Sequence, residues 1–302
     1  MTVIRRKKVL VLGNTVSGVG AFARYLPRIV ETLAVHGCEA TVYPIIPSRG
    51  LTSGNILKEC TGDYDVLLVC GGDGTLNYVV NDMQAMGIQR PVCYIPCGTT
   101  NDFGRSIEEN MSADQICRCA AMGRIKELDI ANFNGRYFNY VAAFGAFTKS
   151  SYSTPQNVKN VLGYSAYVLN SIGSFPDSIG YRKHVKLTHD GITEEGNYMY
   201  GGISNSLTIG GIRFPFADNP ALDDGLLEVV LVRSPDNPAD FAAIIGNLAT
   251  GYVDQNMIRC FQAKEITVEC SDPLEWTIDG EDGGRHRKAE IAVCPKALQI
   301  LV

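Results

Sequence analysis

Short apolar runs alternate with helical patterns along the first 130 residues of the chain. Runs rich in Val, Leu and Ile lie at residues 9–12, 41–46, 65–70, 92–95 and 125–130. Runs of this length, bounded by Gly, Pro or polar residues, are typical of buried strands. Because strands that alternate with helices form parallel sheets covered on both faces, these residues predict an α/β domain with a doubly wound parallel sheet.

The segments between these runs carry helix signals. Apolar residues at 76, 79, 80 and 83 fall at i, i+3, i+4 and i+7, so they share one face of a helix that begins near Thr75. Ser112 and Gln115 have the spacing of a capping box and predict a helix start. Another helix is predicted from residue 22 to Gly37, with a kink or a late start because Pro27 lies inside it.

The pattern changes after about residue 133, where short alternating runs are separated by turn residues. The predicted strands cover residues 137–143, 184–189, 197–203, 226–232, 265–270 and 291–293. Asp190 and Gly191 form a two-residue hairpin signal between two of these runs. Two helices, near 158–172 and 238–251, interrupt a part of the chain that we predict to be mostly antiparallel β structure.

These patterns divide the chain into two domains. We expect residues 1–130 to form the α/β domain and residues 131–294 to form the β-rich domain. The last segment, 295–302, is expected to return to the first domain, with a closing strand at residues 297–302.

Composition and charge narrow the choice of partners. The 302 residues are 45% hydrophobic and 20% charged, and the net charge of −5 is spread without a strong acidic tail or a basic stripe. We therefore expect no nucleic-acid partner. A short basic run at residues 5–8 has two interpretations, a solvated flank of the first strand or a contact with an anionic membrane surface.

The same features point to a cytoplasmic protein. No apolar stretch approaches the roughly 20 residues that a membrane-spanning helix needs, and the run after residue 8 is too short for a secretory signal. The ten cysteines mostly lie in apolar runs and never form a CxxC pair. We interpret them as reduced core thiols and expect no zinc site.

The strongest candidate for chemistry is the loop Gly71–Gly72–Asp73–Gly74–Thr75, which follows a predicted strand and opens a predicted helix. Glycines allow backbone N–H groups to approach a phosphate, and the helix directs the positive end of its dipole to the same point. The carboxylate of Asp73 would repel a phosphate unless Mg²⁺ lay between them. A tight turn without a ligand is the structural alternative. The spacing excludes a Walker loop and a GxGxxG fingerprint.

A second loop follows the next strand, where residues 95–105 read IPCGTTNDFGR. Loops at the carboxyl ends of neighbouring parallel strands face one crevice, where open α/β sheets bind ligands. This pair of loops, about 25 residues apart, resembles the diacylglycerol kinase catalytic family, bacterial lipid kinases with eukaryotic diacylglycerol and sphingosine kinase relatives. Further matches run to the Trp-Thr-Ile-Asp-Gly-Glu segment at 276–281, so the resemblance covers roughly nine-tenths of the chain.

The resemblance implies a fold and a set of site residues. The fold would be an N-terminal α/β domain of the NAD-kinase and phosphofructokinase type, followed by a mostly antiparallel β-sandwich. Nucleotide contacts would come from Asn14, Thr15, Val16, Ser17, Gly18, Gly71, Gly72, Asp73, Gly74, Thr75, Thr99, Asn101 and Asp102. The family commonly has Asn-Pro-x-Ser-Gly where this chain has Asn-Thr-Val-Ser-Gly at 14–18, which weakens the assignment there.

The resemblance also assigns catalytic and metal-binding roles. Glu281 would be the general base, Asp73 would act through Mg²⁺, and Asp129 would lie near the acceptor hydroxyl. Asp224, with backbone carbonyls of Ala221 and Leu226, resembles a structural Mg²⁺ site. Without the resemblance, the segment 279–284 reads equally as a polar hairpin tip, and Asp224 as part of an Asp-Gly turn before a strand.

The predicted function is therefore transfer of the γ-phosphate of ATP, with Mg²⁺, to the hydroxyl of a lipid alcohol such as diacylglycerol. The enzyme would contact the membrane surface peripherally. The sequence does not give the oligomeric state, and the resemblance allows a homodimer, since bacterial relatives are often dimers. Two alternatives stay open, an NAD kinase-like enzyme and a non-catalytic nucleotide or lipid sensor with the same fold. NAD kinases share the GGDG loop but lack the Gly-Thr-x-Asn-Asp-Phe segment and the late Asp-Gly-Glu.

Overall fold

The structure is a computed structural model that describes residues 5–15, 17, 20–98, 101–107, 111–145, 182–206, 221–250 and 253–302. The chain divides into two compact units. Unit 1 runs to Leu128 and includes Lys296–Val302, and unit 2 is Asp129–Pro295. Within the described part of the chain, no helix is both long and apolar enough to span a membrane.

Unit 1 contains parallel strands with helices between them. The strands are β1 (Lys7–Asn14), β2 (Cys38–Ile45), β3 (Val66–Gly71), β4 (Val92–Pro96) and the end of β13 (Glu281–Leu301). Their order in the sheet is β13-β4-β3-β1-β2, and every neighbouring pair is parallel. The helices are α1 (Ala21–Val35), α2 (Ser53–Glu59), α3 (Asp73–Ala85), α4 (Asp102–Ile107) and α5 (Ala113–Met122).

The core of this sheet explains the apolar runs in the sequence. Every residue of β3 is buried, as are Val9–Leu12 in β1, because helices cover the sheet. Helices α1 and α5 pack on the face that carries Val9, Val11 and Leu68. A salt bridge between Arg28 and Asp114 joins these two helices.

Two of the helix predictions have clear outcomes. The capping box at the start of α5 is confirmed, since the Ser112 hydroxyl accepts from the N–H of Gln115 while the Gln115 side chain accepts from the N–H of Ser112. The late start suggested by Pro27 is wrong. Helix α1 begins at Ala21 and includes Pro27 in its interior, and its apolar face buries Phe22, Ile29 and Leu33, which offsets the backbone hydrogen bond that proline cannot make.

Unit 2 is dominated by antiparallel strands. They are β5 (Ile125–Phe133, which begins in unit 1), β6 (Arg136–Phe138), β7 (Val141–Gly145), β8 (Lys183–His189), β9 (Ile192–Ser204), β10 (Leu227–Arg233), β11 (Ile258–Ala263), β12 (Glu265–Ile278) and β13. The order along the main path is β11-β10-β9-β7-β12-β13, with β8 paired to β9 and β12. Helix α6 (Pro238–Thr250) follows β10. The rings of Phe133 and Phe144 pack edge-on against Trp276 in the core, with ring centroids 4.8 and 5.0 Å away.

Two tight hairpins set the register of this unit. Asp190 and Gly191 both have positive φ, at 45° and 82°, and His189 pairs with Ile192 across the turn. The predicted hairpin is therefore confirmed. Asp279 and Gly280 repeat the arrangement between β12 and β13, with φ of 49° and 84°. Asp-Gly suits this turn because both central residues need the left-handed region.

Several strands of unit 2 are longer than the sequence pattern predicts. β12 has 14 residues and β13 has 21, where the prediction gave runs of six and three residues and a separate closing strand at 297–302. The pairing of β12 with β13 shifts register between Glu269 and Leu274 and again between Trp276 and Thr277. Each shift breaks the apolar alternation that marks a strand in sequence. The predicted helix at 158–172 lies outside the described residues.

Candidate active site

Three loops meet at the carboxyl ends of β1, β3 and β4. Asn14 is the last residue of β1, and its amide nitrogen donates to the hydroxyl of Thr75 at 2.9 Å. Thr75 lies in the first turn of α3, which follows the glycine loop after β3. The backbone N–H of Cys97, directly after β4, donates to the carbonyl of Gly71 at 2.7 Å. These bonds place the ends of all three strands beside one another.

The glycines are needed because the loops approach each other closely. A Cβ added to Gly98 would lie 2.7 Å from Cα of Gly72 and 2.8 Å from Oδ1 of Asn101. A Cβ added to Gly71 would lie 2.6 Å from Cβ of Thr75. Real Cβ atoms do not approach backbone this closely, so any larger residue at Gly98 must move one of the loops.

Asn101 closes the second loop upon itself. Its side-chain oxygen accepts from the N–H of Gly98 at 2.7 Å, and its amide nitrogen donates to the carbonyl of Gly98 at 2.9 Å. Its φ of 53° lies in the left-handed region, which asparagine tolerates better than most residues. Asn101 thus acts on the shape of the loop in this structure.

Asp73 joins the glycine loop to the second loop. One carboxylate oxygen accepts from the backbone N–H of Asp102 at 2.9 Å, and the other accepts from the Tyr94 hydroxyl at 3.2 Å. Burial and the neighbouring Asp73 raise the pKa of Tyr94 well above its usual range, so the phenol stays protonated as a donor. A carboxylate has about four lone-pair positions and is a ligand type that binds water or a cation.

The electrostatics of these loops combine donors and acids. Helix α3 has 13 residues and begins at Asp73, so the positive end of its dipole lies at the glycine loop. Asp102 opens α4, and burial raises the pKa of its carboxyl while Arg105 opposes that shift. A site of this kind can bind phosphate groups through backbone N–H groups and a cation through carboxylates.

Unit 2 contains a second group of acids around the turn before β10. Asp129 is fully buried, and its carboxylate accepts from the N–H of Gly225 at 2.6 Å. Its backbone N–H donates to the carbonyl of Leu222 at 2.8 Å, and its carbonyl accepts from the side chain of Asn205 at 2.5 Å. Asp129 therefore fixes this turn, and its predicted place near an acceptor hydroxyl stays a prediction.

Asp224 organises the same turn from outside. Its carboxylate accepts from the N–H groups of Ala221 at 3.2 Å and Leu226 at 3.0 Å, so the three residues predicted to form a metal site do lie together. The exposed carboxylate is a hard oxygen donor of the kind that Mg²⁺ prefers, and the groups of Ala221 and Leu226 that contact it are N–H donors. Metal binding by the carbonyls of these two residues stays a prediction. No set of three or more His, Cys, Asp or Glu residues suitable for a metal is found in the part of the chain that the structure describes.

Sequence reasoning missed two neighbours of Asp224. Glu228 is fully buried in β10, accepts from the N–H of Ser206 at 3.2 Å and from the Gln262 amide at 3.2 Å, and burial raises its pKa to about 7. Gln262 also donates to Asp224 at 3.4 Å. The available signal was a glutamate inside the apolar run Leu227–Arg233, where a buried acid needs a specific reason.

Glu281 is the first residue of β13, directly after the Asp279 and Gly280 turn, and its side chain is exposed. The turn is anchored by Asp279, whose carboxylate accepts three backbone N–H groups. These belong to Asn139, Tyr140 and Val141, at 2.8, 3.0 and 2.9 Å. The segment is thus a hairpin tip, as the structural alternative had it, and the tip holds the candidate base on a fixed turn.

The residues predicted to contact the nucleotide can be located in the structure, and their contact with a nucleotide stays a prediction. Gly71, Gly72, Asp73, Gly74, Thr75, Asn101 and Asp102 lie together in the two loops, and Asn14 joins them through Thr75. Thr15 and Ser17 lie on the turn after β1, where the carbonyl of Ser17 accepts from the N–H of Gly20 at 3.2 Å. Val16, Gly18 and Thr99 lie outside the described residues.

Parallel strands with glycine loops at their carboxyl ends define unit 1 as an α/β unit of the kind that binds phosphate-bearing ligands. Comparison with known proteins gives the particular family. Residues 8–133 match the model of the diacylglycerol kinase catalytic domain, and residues 144–302 match the YegS C-terminal NAD kinase beta sandwich-like domain. The chain belongs to the diacylglycerol kinase family, a family of lipid kinases, and has its two-domain architecture.

Individual relatives agree with this assignment. A diacylglycerol kinase of Staphylococcus aureus is 30% identical over 93% of this chain and 88% of its own length. A diacylglycerol kinase of Bacillus subtilis is 26% identical over 92% of this chain and 91% of its own length. A crystal structure from Bacillus anthracis, 25% identical, has a TM-score of 0.83 and covers 98% of this chain and 96% of that one.

Proposed function

We propose that this lipid kinase transfers the γ-phosphate of ATP to the hydroxyl of a lipid alcohol such as diacylglycerol. The observation that carries the proposal is the convergence of the glycine loop, Asn14 and the Gly98–Asp102 segment at one edge of unit 1, in a chain of the diacylglycerol kinase family. In this proposal unit 1 is a doubly wound sheet of the phosphofructokinase type that binds ATP. Unit 2 is a β-sandwich that binds the lipid acceptor.

The glycine loop would hold the phosphates. The N–H groups of Thr75 and Leu76 donate to the carbonyl of Gly72 at 2.9 and 3.1 Å. Phosphate oxygens would therefore be bound by the backbone N–H groups that come before these two, at the positive end of the α3 dipole. Asn14 orients the Thr75 hydroxyl, and Asn101 keeps Gly98 close to Gly72. Together with the loop N–H groups, these two contacts would fix the triphosphate before the acceptor arrives, which is the positioning that phosphoryl transfer requires.

Mg²⁺ would supply charge neutralisation at the transferred phosphoryl group. Asp73 is the candidate to hold it, directly or through water, because its carboxylate lies at the start of α3 and is oriented by Tyr94 and Asp102. A second, structural Mg²⁺ would be bound by Asp224 with the carbonyl groups of Ala221 and Leu226. The buried Asp129 supports this turn through Gly225.

Glu281 would accept the proton of the lipid hydroxyl. General bases of this kind contribute about 10²–10⁴-fold to rate. The support for Glu281 is its place in the Asp-Gly-Glu segment that resembles the family's, together with the anchored turn that carries it. Asp129 would contribute near the acceptor hydroxyl indirectly, by holding the turn at Gly225 in place.

Contact with the membrane surface is proposed as peripheral. The basic run at residues 5–8 gives limited support, because Arg5 pairs with Asp65 at 3.2 Å and Lys8 pairs with Asp63 at 2.5 Å. Those pairs favour the interpretation of a solvated flank of β1. A homodimer in the cytoplasm and a role in phospholipid synthesis complete the proposal.

The function is tested with the purified chain, radiolabelled ATP and mixed micelles of detergent with diacylglycerol, in the presence and absence of Mg²⁺. We expect Mg²⁺-dependent labelling of the lipid, and a panel of other lipid alcohols ranks the acceptors.

Glu281→Gln should bind ATP normally and lose at least about a hundredfold in turnover. Glu265→Gln, an exposed glutamate of β12, is the matched control and should keep full turnover. Labelling of NAD without labelling of any lipid would contradict the proposal.

A further inference from the structure

Two cysteine thiols lie side by side beneath the glycine loops. Sγ of Cys70 is 3.1 Å from Sγ of Cys97, and both residues are free thiols in this structure. Cys70 is the residue before Gly71 in β3, and Cys97 follows the last residue of β4. Their side chains are 0% and 6% exposed, so the pair belongs to the core of unit 1.

The position of the pair links it to both loops. Cys70 directly precedes the Gly71–Gly72–Asp73 segment, and Cys97 directly precedes Gly98. The N–H of Cys97 donates to the carbonyl of Gly71 at 2.7 Å, and Gly72 and Gly98 touch one residue further on. A change in the distance between the two sulfur atoms would therefore affect the backbones of the two loops where Gly72 lies against Gly98.

The two thiols differ chemically. The hydrogen bond with Cys70 and the nearby Arg24 lower the pKa of Cys97, against its burial. The same hydrogen bond and burial raise the pKa of Cys70 far above its usual range. The direction of these pKa shifts and the slightly greater exposure of Cys97 favour Cys97 as the thiol that an oxidant would meet first.

We propose that Cys70 and Cys97 are an oxidation site that closes to a disulfide and thereby controls the phosphate-binding loops. In the first step the Cys97 thiolate attacks hydrogen peroxide, an S–O bond forms, the O–O bond breaks and hydroxide leaves. In the second step the sulfur of Cys70 displaces the hydroxyl from that sulfenic acid. An S–S bond forms, the S–O bond breaks, and the Cys70 proton leaves with the hydroxyl as water. A thiol reductant reverses the reaction by exchange.

The disulfide is expected to act on the loops. Its formation shortens the distance between the two Sγ atoms from 3.1 Å to about 2.05 Å. Rotation of the two side chains supplies part of this change, and the rest falls on the backbone that leads into each loop. The contact of Gly72 with Gly98 leaves that backbone little space, because a Cβ on Gly98 would lie 2.7 Å from Cα of Gly72. We expect the loops to shear past each other and to lose their phosphate-binding shape. This last consequence rests on the proposed function, whereas the disulfide does not.

The disulfide is tested on the full chain by peptide mapping. The protein is treated with hydrogen peroxide, its remaining thiols are alkylated under denaturing conditions, and it is cleaved before aspartates. That cleavage places Cys70 on residues 65–72 and Cys97 on residues 82–101, together with Cys93. We expect a cross-linked pair of these peptides, absent after dithiothreitol. The pair should persist in Cys93→Ser and disappear in Cys97→Ser and in Cys70→Ala. Full alkylation of both cysteines after peroxide, or loss of the cross-link in Cys93→Ser, would overturn the assignment.

The effect on the loops is measured by calorimetric titration with ATP. Oxidised wild-type protein should bind ATP about tenfold more weakly than reduced protein, with recovery in dithiothreitol. Cys70→Ala and Cys97→Ser should each bind ATP with the same affinity before and after peroxide. Both variants are measured so that a folding defect in one of them does not decide the result. A disulfide that leaves ATP affinity unchanged overturns the control of the loops. Absence of ATP binding in the reduced wild-type protein would instead contradict the proposed function, while the peptide map still decides the disulfide.

Discussion

The carboxylate of Asp73 accepts a hydrogen bond from the backbone N–H of Asp102 at 2.9 Å, so the first residue of α3 holds the first residue of α4. The same carboxylate accepts a hydrogen bond from the hydroxyl of the buried Tyr94. The acid of the glycine loop, for which we propose phosphate binding, is thus also a structural link between the two loops. The negative charge of Asp73 would repel a bare phosphate. The hydrogen bonds from Asp102 and Tyr94 stabilise this charge, and in the proposed reaction Mg²⁺ does so as well.

The first prediction concerns this link. Asp73→Ala should lower the free energy of unfolding by about 2 kcal/mol, because it leaves the Asp102 N–H and the Tyr94 hydroxyl without their acceptor. Tyr94→Phe removes the hydrogen bond from the Tyr94 hydroxyl to Asp73 and should lower the free energy of unfolding by about 1 kcal/mol while turnover persists. Urea denaturation measures both. Equal stability of Asp73→Ala and wild-type protein would show that the link carries no energy.

The second prediction concerns the glycine contact. Gly98→Ala places a methyl group 2.7 Å from Cα of Gly72, so it should cost about 1–3 kcal/mol of stability and weaken ATP binding. Gly246→Ala in α6 is the matched control, because nothing lies within 4 Å of its added Cβ. That control should leave stability unchanged or raise it by about 0.5–1 kcal/mol. Wild-type ATP affinity in Gly98→Ala would argue against the close contact of the loops.

The third prediction concerns the hairpin that carries Glu281. Asp279→Ala removes the acceptor of three backbone N–H groups, so we expect a loss of roughly 3 kcal/mol in the free energy of unfolding. Asp279→Asn keeps one acceptor oxygen and tolerates the φ of 49°. It should fold and show a lower kcat with an unchanged KM for ATP, because only the base is displaced. A change confined to KM would place Asp279 in nucleotide binding instead.

The fourth prediction concerns the turn at Asp224. Added Mg²⁺ should raise the melting temperature of the wild-type protein, since a ligand that binds only the folded state stabilises it. Asp224→Asn should abolish most of that rise, and the neighbouring exposed Asp223→Asn should retain it. Differential scanning fluorimetry over a range of MgCl₂, with CaCl₂ and added EDTA as comparisons, measures the shift. An equal rise in both variants would remove Asp224 from the metal site.

The sequence was sufficient where local chemistry or strand order decides the outcome. The Asp190 hairpin and the Ser112 capping box follow from a few adjacent residues, and both are confirmed. The meeting of Gly72 with Gly98 follows from two loops at the carboxyl ends of neighbouring parallel strands. These features need no knowledge of distant register.

Other features depend on partners that no local pattern specifies. Asp279 binds backbone groups about 140 residues away, and Gln262 reaches Glu228 from another strand. The contact of Cys70 with Cys97 depends on the register of β3 with β4, which pairs Cys70 with Ile95, two residues before Cys97. Such contacts are fixed by packing of the whole unit, so the residue types alone gave no sign of them.

The contact between Gly72 and Gly98 also limits how the protein can be redesigned. A Cβ on Gly98 would lie 2.7 Å from Cα of Gly72, and a Cβ on Gly72 would lie 3.2 Å from Cα of Gly98. The energies of the two substitutions should therefore not add in a double-mutant cycle. In a chimera that takes one loop from a distant homologue, the transplanted loop would pack against a native loop with which it did not evolve. The two loops therefore have to be transplanted together, and each loop limits the sequence changes that the other can tolerate.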